Sequence, residues 1–385
     1  MILTIKKKVK VNNILLTLLV WSIALFAYDK YNIKTALLCI VLLYNIETII
    51  RHIINYRKNR IVFTFAIIFP ILLCFLSVVI NGRGLVKSVS GVYVCIYLLL
   101  VFILEDSDFD ICKALNQIMT FLAFLLIIIG LLDFTGIVDL YSNGLCTIIK
   151  NLNEGAFYKN SNAIFYYVLF IKTSPLLIFN FIYTLVFKKY IQAVITVIAL
   201  IWSGTRANIY ITAVMLIIYL LFIIKSNVKK YLFSLVSILL CYIGYNNTVD
   251  RIEIINNAKS KGDEVRRLIV PSIINTLNEK KARWFVGMGN GSTYYSIGRG
   301  FMVDGEEIAY LEFLRLHGLI GVAFLLVFLL LPIKKIFFSD YRWVLLPYFS
   351  FLAISVVDPF LFTSTSFIVY VIVYDIFVNK LSKNK

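Results

Sequence analysis

Three polar residues, Ser203, Thr205 and Arg206, lie in a short polar break between two apolar runs of the sequence. If the second run is a helix, Arg206 stands at its N-terminus. Free backbone N–H groups and a planar guanidinium both suit a phosphate group, so the break is a candidate anion-binding site. The alternative is that Arg206 anchors the helix at the membrane surface by extending its charged head into water.

A pair of arginines, Arg266 and Arg267, lies in the longest polar segment of the chain. Two adjacent guanidinium groups can hold a diphosphate through paired hydrogen bonds without a metal ion. A solvated helix end with local ion pairs is the more frequent explanation for such a pair. Apolar residues recur near every 3.6 positions over 265–278, which predicts an amphipathic helix with Pro271 in its first turn.

Two glutamates, Glu306 and Glu307, precede an apolar run, where a carboxylate could accept a proton from an attacking hydroxyl. Carboxylates also complement the dipole at a helix N-terminus, which explains this position without any catalytic role. Tyr310 follows them and could stack on a sugar face or anchor the helix at the membrane interface. The glycines at 287–291 could form a phosphate-binding turn, although a glycine-rich stretch by itself is weak evidence.

Lys172 lies within a run that is otherwise apolar. A lysine at the centre of a bilayer costs about 2.5–3.5 kcal/mol, so we expect Lys172 to face the protein interior or a cavity. A structural ion pair and a role in substrate binding are equally consistent with that position. The two histidines are far apart and the six cysteines contain no Cys-x-x-Cys pair, so the sequence predicts no metal site and no cofactor.

The elements that must position these residues are predicted to be membrane helices. The chain has 385 residues, is 61% hydrophobic and 15% charged, and has a mean hydropathy of +0.88. A soluble domain is about 45–50% apolar and about 25% charged. The excess apolar residues gather in runs of about 15–20 residues between clusters of charge, which is typical of transmembrane helices. Twelve spans are predicted, at 11–28, 35–50, 61–80, 86–104, 114–132, 163–187, 190–204, 206–224, 231–246, 314–333, 343–357 and 360–378.

The basic residues of the loops predict the orientation of these spans. Clusters of Lys and Arg occupy 6–10, 51–60, 188–189, 225–230, 334–342 and 380–385. They all fall on one side of the membrane if the twelve spans are correct. Because Lys and Arg are retained in cytoplasmic loops, both termini are predicted to be cytoplasmic. The same rule accounts for the formal net charge of +17 without a nucleic-acid partner.

The predicted fold class is therefore all-α: a polytopic integral membrane helical bundle of about twelve transmembrane helices. The whole chain, 1–385, is expected to form a single transmembrane domain. Two polar segments, 133–162 and 246–313, fall on the external side of the membrane in this topology. The second is the long external loop that contains the amphipathic helix.

The order of these motifs resembles the O-antigen ligase and polysaccharide polymerase superfamily. The motifs are Ser-Gly-Thr-Arg-Ala at 203–207, the long external loop, the Gly-x-Gly turn, and Tyr-Leu-Glu at 310–312 followed by Gly-Leu-Ile-Gly at 318–321. The resemblance covers 162–321 in motif order and the whole chain in topology. It implies that a lipid-diphosphate-linked glycan is transferred to a hydroxyl at the outer face of the membrane. It also implies that Arg206 and either Arg266 or Arg267 engage the diphosphate.

One position separates the branches of this superfamily. The ligase branch typically has a histidine just before the Tyr-Leu helix, whereas this chain has Glu307 there and His317 beside Gly318. A glutamate at this place is common among the polymerases, so the resemblance favours that branch. It implies a metal-independent glycosyltransferase that joins undecaprenyl-diphosphate-linked oligosaccharide repeat units into O-antigen, capsule or exopolysaccharide. The reaction would take place on the outer face of the bacterial plasma membrane.

The expected site residues follow from the motifs and the resemblance together. The predicted catalytic residues are Arg206, Arg266, Arg267 and Glu307. The predicted substrate-binding residues are Ser203, Thr205, Lys172, Glu306, Tyr310 and His317. The expected partners are the lipid-linked donor and acceptor, the lipid bilayer, a chain-length regulator and a flippase, and no nucleic acid.

Two other functions remain open from the sequence. A flippase or another transporter of lipid-linked oligosaccharide would also have many spans, and Lys172 could then lie on a translocation path. Transporters usually contain two related halves, and the sequence shows no such repeat. The ligase branch is the second alternative, with the same reaction and a different acceptor.

Overall fold

The computed structural model of this chain describes thirteen stretches. These are residues 2–54, 56–137, 139, 144–152, 154–159, 167–203, 205–223, 231, 234–239, 241–243, 245, 261–305 and 308–381. Most of them are helical, and the strands among them are four short ones, so the predicted all-α class is confirmed. The chain divides into two compact units. The first contains 1–46, 107–253 and 342–350, and the second contains 47–106, 254–341 and 351–385.

Several helices in the described part of the chain are compatible with a membrane protein. Three are long and apolar enough to cross a bilayer, namely Arg60–Ile80, Ile111–Phe134 and Ala309–Phe337. A fourth span is possible if the adjacent helices Ile33–Tyr44 and Ile46–Ile54 act together. Shorter apolar helices accompany them, at Lys10–Leu25, Tyr93–Glu105, Leu176–Val186, Tyr190–Trp202, Ala207–Phe222, Ser234–Ile243 and Arg342–Ile354. The number of twelve spans and their orientation stay predictions.

One long helix illustrates the lipid-compatible surface. On Ile111–Phe134, Leu115 and Met119 are buried, whereas Phe121 and Phe124 are 57% and 52% exposed. Exposing aromatic side chains of this size to water is unfavourable in free energy, whereas contact with the hydrocarbon of a bilayer carries no such penalty.

The first unit contains that helix, and Ile2–Leu25 packs against it. Its other elements are Ile2–Leu25, Ile33–Tyr44, Gly144–Asn151, Leu176–Val186, Tyr190–Trp202, Arg206–Phe222 and the start of Leu345–Ile354, with an antiparallel hairpin of Gly155–Lys159 and Tyr167–Ile171. Leu176–Val186 and Tyr190–Trp202 both contact Ile111–Phe134. The buried Asn180 amide donates to Thr196 Oγ1 at 2.8 Å and to Thr120 Oγ1 at 3.3 Å, which links all three helices.

The sequence-based span over 163–187 is wrong over 167–175, and 163–166 lie outside the described residues. Residues Tyr167–Ile171 form a β-strand, Lys172 lies in the turn that follows, and the helix begins only at Leu176. A short apolar run cannot be assigned to helix or strand by periodicity alone. Here the run forms a strand because it pairs with Gly155–Lys159. Lys172 is therefore not in the middle of a membrane helix.

The second unit contains the segments that carry most of the motifs. Its helices are Ile46–Ile54, Tyr56–Phe63, Phe69–Phe75, Leu85–Ser90, Leu100–Glu105, Lys261–Asn278, Ala282–Val286, Ala309–Leu330, Ile333–Phe337, the end of Leu345–Ile354, and Ser364–Asp375. Thr64–Ile68, Leu76–Ile80 and Ile376–Lys380 are π-helical, Tyr93–Leu99 is a 3₁₀-helix, and Tyr294–Ser296 pairs with Phe301–Val303 in a small hairpin.

The amphipathic helix of the long loop is confirmed, with the bounds Lys261–Asn278. Its buried face carries Ile269, Ile273 and Leu277, which pack against Tyr294 and Val303 of the hairpin. The helix begins earlier than the apolar period indicated, so Pro271 lies in its interior and not in its first turn.

Candidate functional site

The polar break before Arg206 has the predicted local structure. Arg206 is the first residue of the helix Arg206–Phe222, and Thr205 precedes it with an extended backbone. Ser203 is buried, donates to the Leu200 carbonyl at 2.7 Å, and lies 3.2 Å from the Thr205 hydroxyl. Gly204 and the side chain of Arg206 lie outside the described part of the structure.

The turn that begins with Lys172 contacts the start of the same helix. The buried Asn208 amide donates to Ser174 Oγ at 2.9 Å. Asn208 Oδ1 and Thr173 Oγ1 are buried and have no hydrogen-bond partner among the described residues. The structure thus connects the turn that begins with Lys172 to the first turn of the helix that follows the Ser203–Thr205 break, through the side chain of Asn208.

Lys172 itself is partly buried. Its ammonium lies 5.3 Å from the centre of the Tyr28 ring, and its backbone N–H donates to the Glu154 carbonyl at 2.9 Å. Burial lowers the pKa of the Lys172 ammonium, while the Glu154 carboxylate acts in the opposite direction.

Glu154 is a buried carboxylate that the sequence analysis missed. It is 4% exposed and accepts the backbone N–H groups of Ala27 (2.5 Å), Tyr28 (3.1 Å) and Asp29 (3.1 Å). These donors lie in the loop between the helices Ile2–Leu25 and Ile33–Tyr44, so the carboxylate supplies an acceptor for backbone N–H groups that belong to no helix or strand. No sequence pattern signals this, because the partners lie far away in the chain.

The predicted residues of the long loop are only partly described. Arg266 and Arg267 both lie on the helix Lys261–Asn278; Arg267 is exposed, and the side chain of Arg266 is not among the described groups. Glu306 and Glu307 also lie outside the described residues. Arg206 belongs to the first unit, whereas both loop arginines belong to the second.

The glycine-rich turn is bound to a break in the helix Ala309–Leu330. Gly318 has φ of 63° and ψ of −170°, which interrupts the helix. The N–H groups of Met288 and Gly289 donate to the carbonyls of Arg315 and Leu316 at 2.8 and 2.9 Å. A helix break leaves such carbonyls without their intrahelical donors, and the turn replaces them. These two N–H groups are therefore not available to a phosphate.

Glu312 and Arg315 form an ion pair that the sequence did not indicate, with a fully buried guanidinium and a carboxylate that is 14% exposed. Arg315 is fully buried, and its Nε and Nη2 donate to the two carboxylate oxygens of Glu312 at 2.9 and 2.5 Å. Nη1 donates to Ser292 Oγ at 2.8 Å, Nη2 donates to the Asp304 carbonyl at 3.2 Å, and the guanidinium lies 4.7 Å from the Tyr294 ring centre. A Glu-x-x-Arg spacing in a helix is the only sequence signal, and it usually marks an exposed pair.

A cavity of about 200 Å³ adjoins this ion pair. Glu312, His317 and Asn290 supply its polar wall. His317 is 2% exposed, and its Nδ1 has no hydrogen-bond partner among the described residues. Tyr310 is not among the residues that line this cavity, and its hydroxyl donates to the Leu352 carbonyl at 2.9 Å.

Comparisons with known proteins add no relative: no protein-family model matches the chain, and a search of curated proteins finds no significant match. The functional proposal therefore depends on the order of the motifs and on the geometry described above.

Proposed function

We propose that this protein is a metal-independent glycosyltransferase of the bacterial plasma membrane that polymerises lipid-linked oligosaccharides. It joins undecaprenyl-diphosphate-linked repeat units into O-antigen, capsule or exopolysaccharide on the outer face of the membrane. About twelve spans with cytoplasmic termini would present the loop 246–313 and the helix end at Arg206 on that face.

One observation supports the proposal more than any other: two motifs that carry the resemblance are parts of one structure. Gly287, in the Gly-x-Gly turn, and Gly318, in the Gly-Leu-Ile-Gly sequence, touch through their backbones. A Cβ atom on Gly287 would lie 2.3 Å from the Leu316 carbonyl oxygen, and one on Gly318 would lie 2.3 Å from that of Phe285. The two motifs thus depend on each other physically, as expected if together they form the framework of one site.

The proposed chemistry is a displacement at the anomeric carbon of the donor sugar. The bond from that carbon to the diphosphate oxygen breaks, a new bond to the acceptor hydroxyl oxygen forms, and the hydroxyl proton passes to Glu307. The leaving lipid diphosphate gains negative charge. Arg206 and one of Arg266 and Arg267 would stabilise this charge through fixed, paired hydrogen bonds, which a metal ion does in other phosphate-dependent enzymes.

The decisive experiment is the glycan profile of cells that carry Arg206→Ala, beside the wild type and a deletion, with membrane insertion verified. Accumulation of single repeat units on the lipid carrier or on the final acceptor supports the polymerase. Carrier-linked sugar retained on the cytoplasmic face would instead identify a flippase. Full-length polymer that is not attached to its final acceptor would identify a ligase.

A further inference from the structure

The short helix Ala282–Val286 exposes an aromatic side chain on one of its faces. The Phe285 side chain is 58% exposed. Its neighbour Trp284 instead packs against the buried cluster that the helix Lys261–Asn278 forms with the small hairpin, and the Trp284 Nε1 donates to Asn278 Oδ1 at 3.0 Å. One face of the short helix is therefore held against the loop, and the face that carries Phe285 is turned away from it.

The depth of Phe285 in a bilayer follows from its contact with the helix Ala309–Leu330. A Cβ atom on Gly318 would lie 2.3 Å from the Phe285 carbonyl oxygen, so Phe285 lies at the level of Gly318. The first charged residue after Gly318 is Lys334, which marks the far edge of the hydrocarbon. At a rise of about 1.5 Å per residue, the sixteen positions between them span about 24 Å. The hydrocarbon core is about 30 Å thick, and a tilt of the helix only shortens its span. Phe285 therefore lies inside the near edge of the hydrocarbon.

Exposed apolar side chains flank this contact on the spanning helix as well. Leu319 and Ile320 follow Gly318 directly and are 46% and 39% exposed. They belong to Ala309–Phe337, which is long and apolar enough to cross a bilayer. Lipid surrounds a spanning helix on every face that protein does not cover, so an exposed ring at this depth meets hydrocarbon whichever way it points. The apolar surface of the span thus continues onto Phe285.

A basic side chain lies on the same face of the short helix as Phe285. Lys281 precedes this helix with helical φ and ψ of −51° and −35°, and its carbonyl accepts the Trp284 N–H at 3.2 Å. Residues four positions apart in a helix lie on one face, about 5–6 Å from each other, so the exposed Lys281 is a neighbour of Phe285. A lysine side chain at the edge of the hydrocarbon extends its ammonium toward water, where the phosphates of phospholipids lie.

We propose that the segment 280–286 anchors the long loop to the membrane surface, with Phe285 in the edge of the hydrocarbon and Lys281 bound to the phosphate of an anionic phospholipid. An apolar environment beside a cation is what a phospholipid supplies, with its acyl chain next to its headgroup. A soluble acidic partner would pair with Lys281 and would leave Phe285 unmatched. In consequence, one part of the loop 246–313 lies in the membrane surface and not in the aqueous phase. The inference needs only the spanning helix and is independent of the proposed polymerase reaction.

The depth of Phe285 is measured with a nitroxide label on the full-length protein in nanodiscs of phosphatidylcholine and phosphatidylglycerol. The label is attached through p-acetylphenylalanine, so the six native cysteines stay unmodified. It replaces Phe285 or, in matched proteins, the exposed polar Asn275 of the loop helix or the exposed Val327 of the span. EPR power saturation compares collisions with oxygen, which concentrates in hydrocarbon, and with a nickel chelate, which stays in water.

The label at Phe285 is expected to resemble the one at Val327, with frequent oxygen collisions and loss of the nickel collisions. The label at Asn275 should collide with the nickel chelate. Nickel collisions as frequent at Phe285 as at Asn275 would show that the ring is in water and would overturn the proposal. Dipolar broadening between two labels at Phe285 would overturn it too, because a second copy of the chain would then cover this face.

The phosphate contact is tested by cross-linking, first with the unaltered protein. Phosphatidylglycerol with a diazirine near the headgroup should label the segment 280–286, as mapped by peptide mass spectrometry, and absence of this label would overturn the proposal.

Lys281→Gln should reduce the labelling about fivefold, as for the loss of one lysine at an anionic membrane surface. Lys280→Gln is the matched control and should leave the labelling unchanged, because Lys280 is also exposed but lies five positions before Phe285 and off its face. Equal labelling of Lys281→Gln and the wild type would refute the phosphate contact. Displacement of the label by a trace of undecaprenyl diphosphate would also overturn the proposal, since the segment would then bind the lipid carrier.

Discussion

Gly287 and Gly318 form a reciprocal backbone contact between a loop turn and a broken helix. A Cβ atom on Gly318 would lie 2.6 Å from Gly287 N, and one on Gly287 would lie 2.5 Å from His317 N. Both residues have positive φ, at 72° and 63°, so neither position accepts a side chain without strain. The contact also fixes the helix turn that carries Glu312, Arg315 and His317.

Three glycine-to-alanine variants should therefore form a graded series in thermal unfolding. At Gly318 a positive φ is combined with the close contact to the Phe285 carbonyl. Gly318→Ala should therefore lower the free energy of unfolding by more than about 2 kcal/mol, or prevent folded protein from accumulating. Gly82→Ala has φ of 62° but open space, and should cost only about 1–2 kcal/mol. Gly84→Ala has ordinary φ and open space and should be neutral. Equal effects at Gly318 and Gly84 would contradict the role given to this contact.

Breaking the Glu312–Arg315 pair should be strongly destabilising. Arg315→Met leaves the Glu312 carboxylate without its partner, and removing one member of a buried pair typically costs about 3–5 kcal/mol. The matched control is Glu279→Gln, which breaks the more exposed ion pair of Glu279 with Arg283 and should cost about 0.5 kcal/mol or less. Denaturant or thermal unfolding of the purified variants measures both. A loss at Arg315 no larger than that at Glu279 would show that the pair is well hydrated.

The double variant gives a sharper result. If Arg315→Met and Glu312→Gln are combined, the second change removes the unpaired charge that the first one leaves. The double variant should then be more stable than Arg315→Met alone, which a double-mutant cycle measures directly. Purely additive losses would mean that the two side chains do not interact.

Substitution of lysine for Arg206 should restore little polymerase activity. A lysine keeps the positive charge but lacks the planar fork that binds two diphosphate oxygens at once. Polymer length and amount, measured on gels of extracted glycan with the variant inserted at wild-type levels, should resemble those of Arg206→Ala. Polymer of normal length would show that a positive charge alone is enough at the start of this helix.

Chelators should leave the reaction unchanged. The proposed stabilisation of the leaving diphosphate uses guanidinium groups, and the described residues contain no group of three or more His, Cys, Asp and Glu side chains placed to hold a metal ion. Chain extension from purified lipid-linked repeat units should therefore proceed equally with EDTA and with magnesium. Strong inhibition by EDTA that magnesium reverses would refute the metal-independent mechanism.

Features that depend on neighbours along the chain could be predicted from the sequence. The helix Lys261–Asn278 follows from an apolar period, because a helix exposes one face every 3.6 residues whatever it packs against. The start of the helix at Arg206 and the apolar character of Ile111–Phe134 are local in the same way.

Features that depend on residues far away in the chain are visible only in the folded protein. Lys172 lies in a turn because the preceding strand pairs with Gly155–Lys159, and Glu154 is buried because three backbone N–H groups near Tyr28 need an acceptor. In the sequence, Glu312 and Arg315 have the spacing of an ion pair on an exposed helix face. The Arg315 guanidinium is buried because the loop and hairpin residues Ser292 and Asp304 pack over it and accept its hydrogen bonds. Burial and hydrogen-bond partners depend on which residues surround a side chain in space, so a local sequence pattern does not predict them.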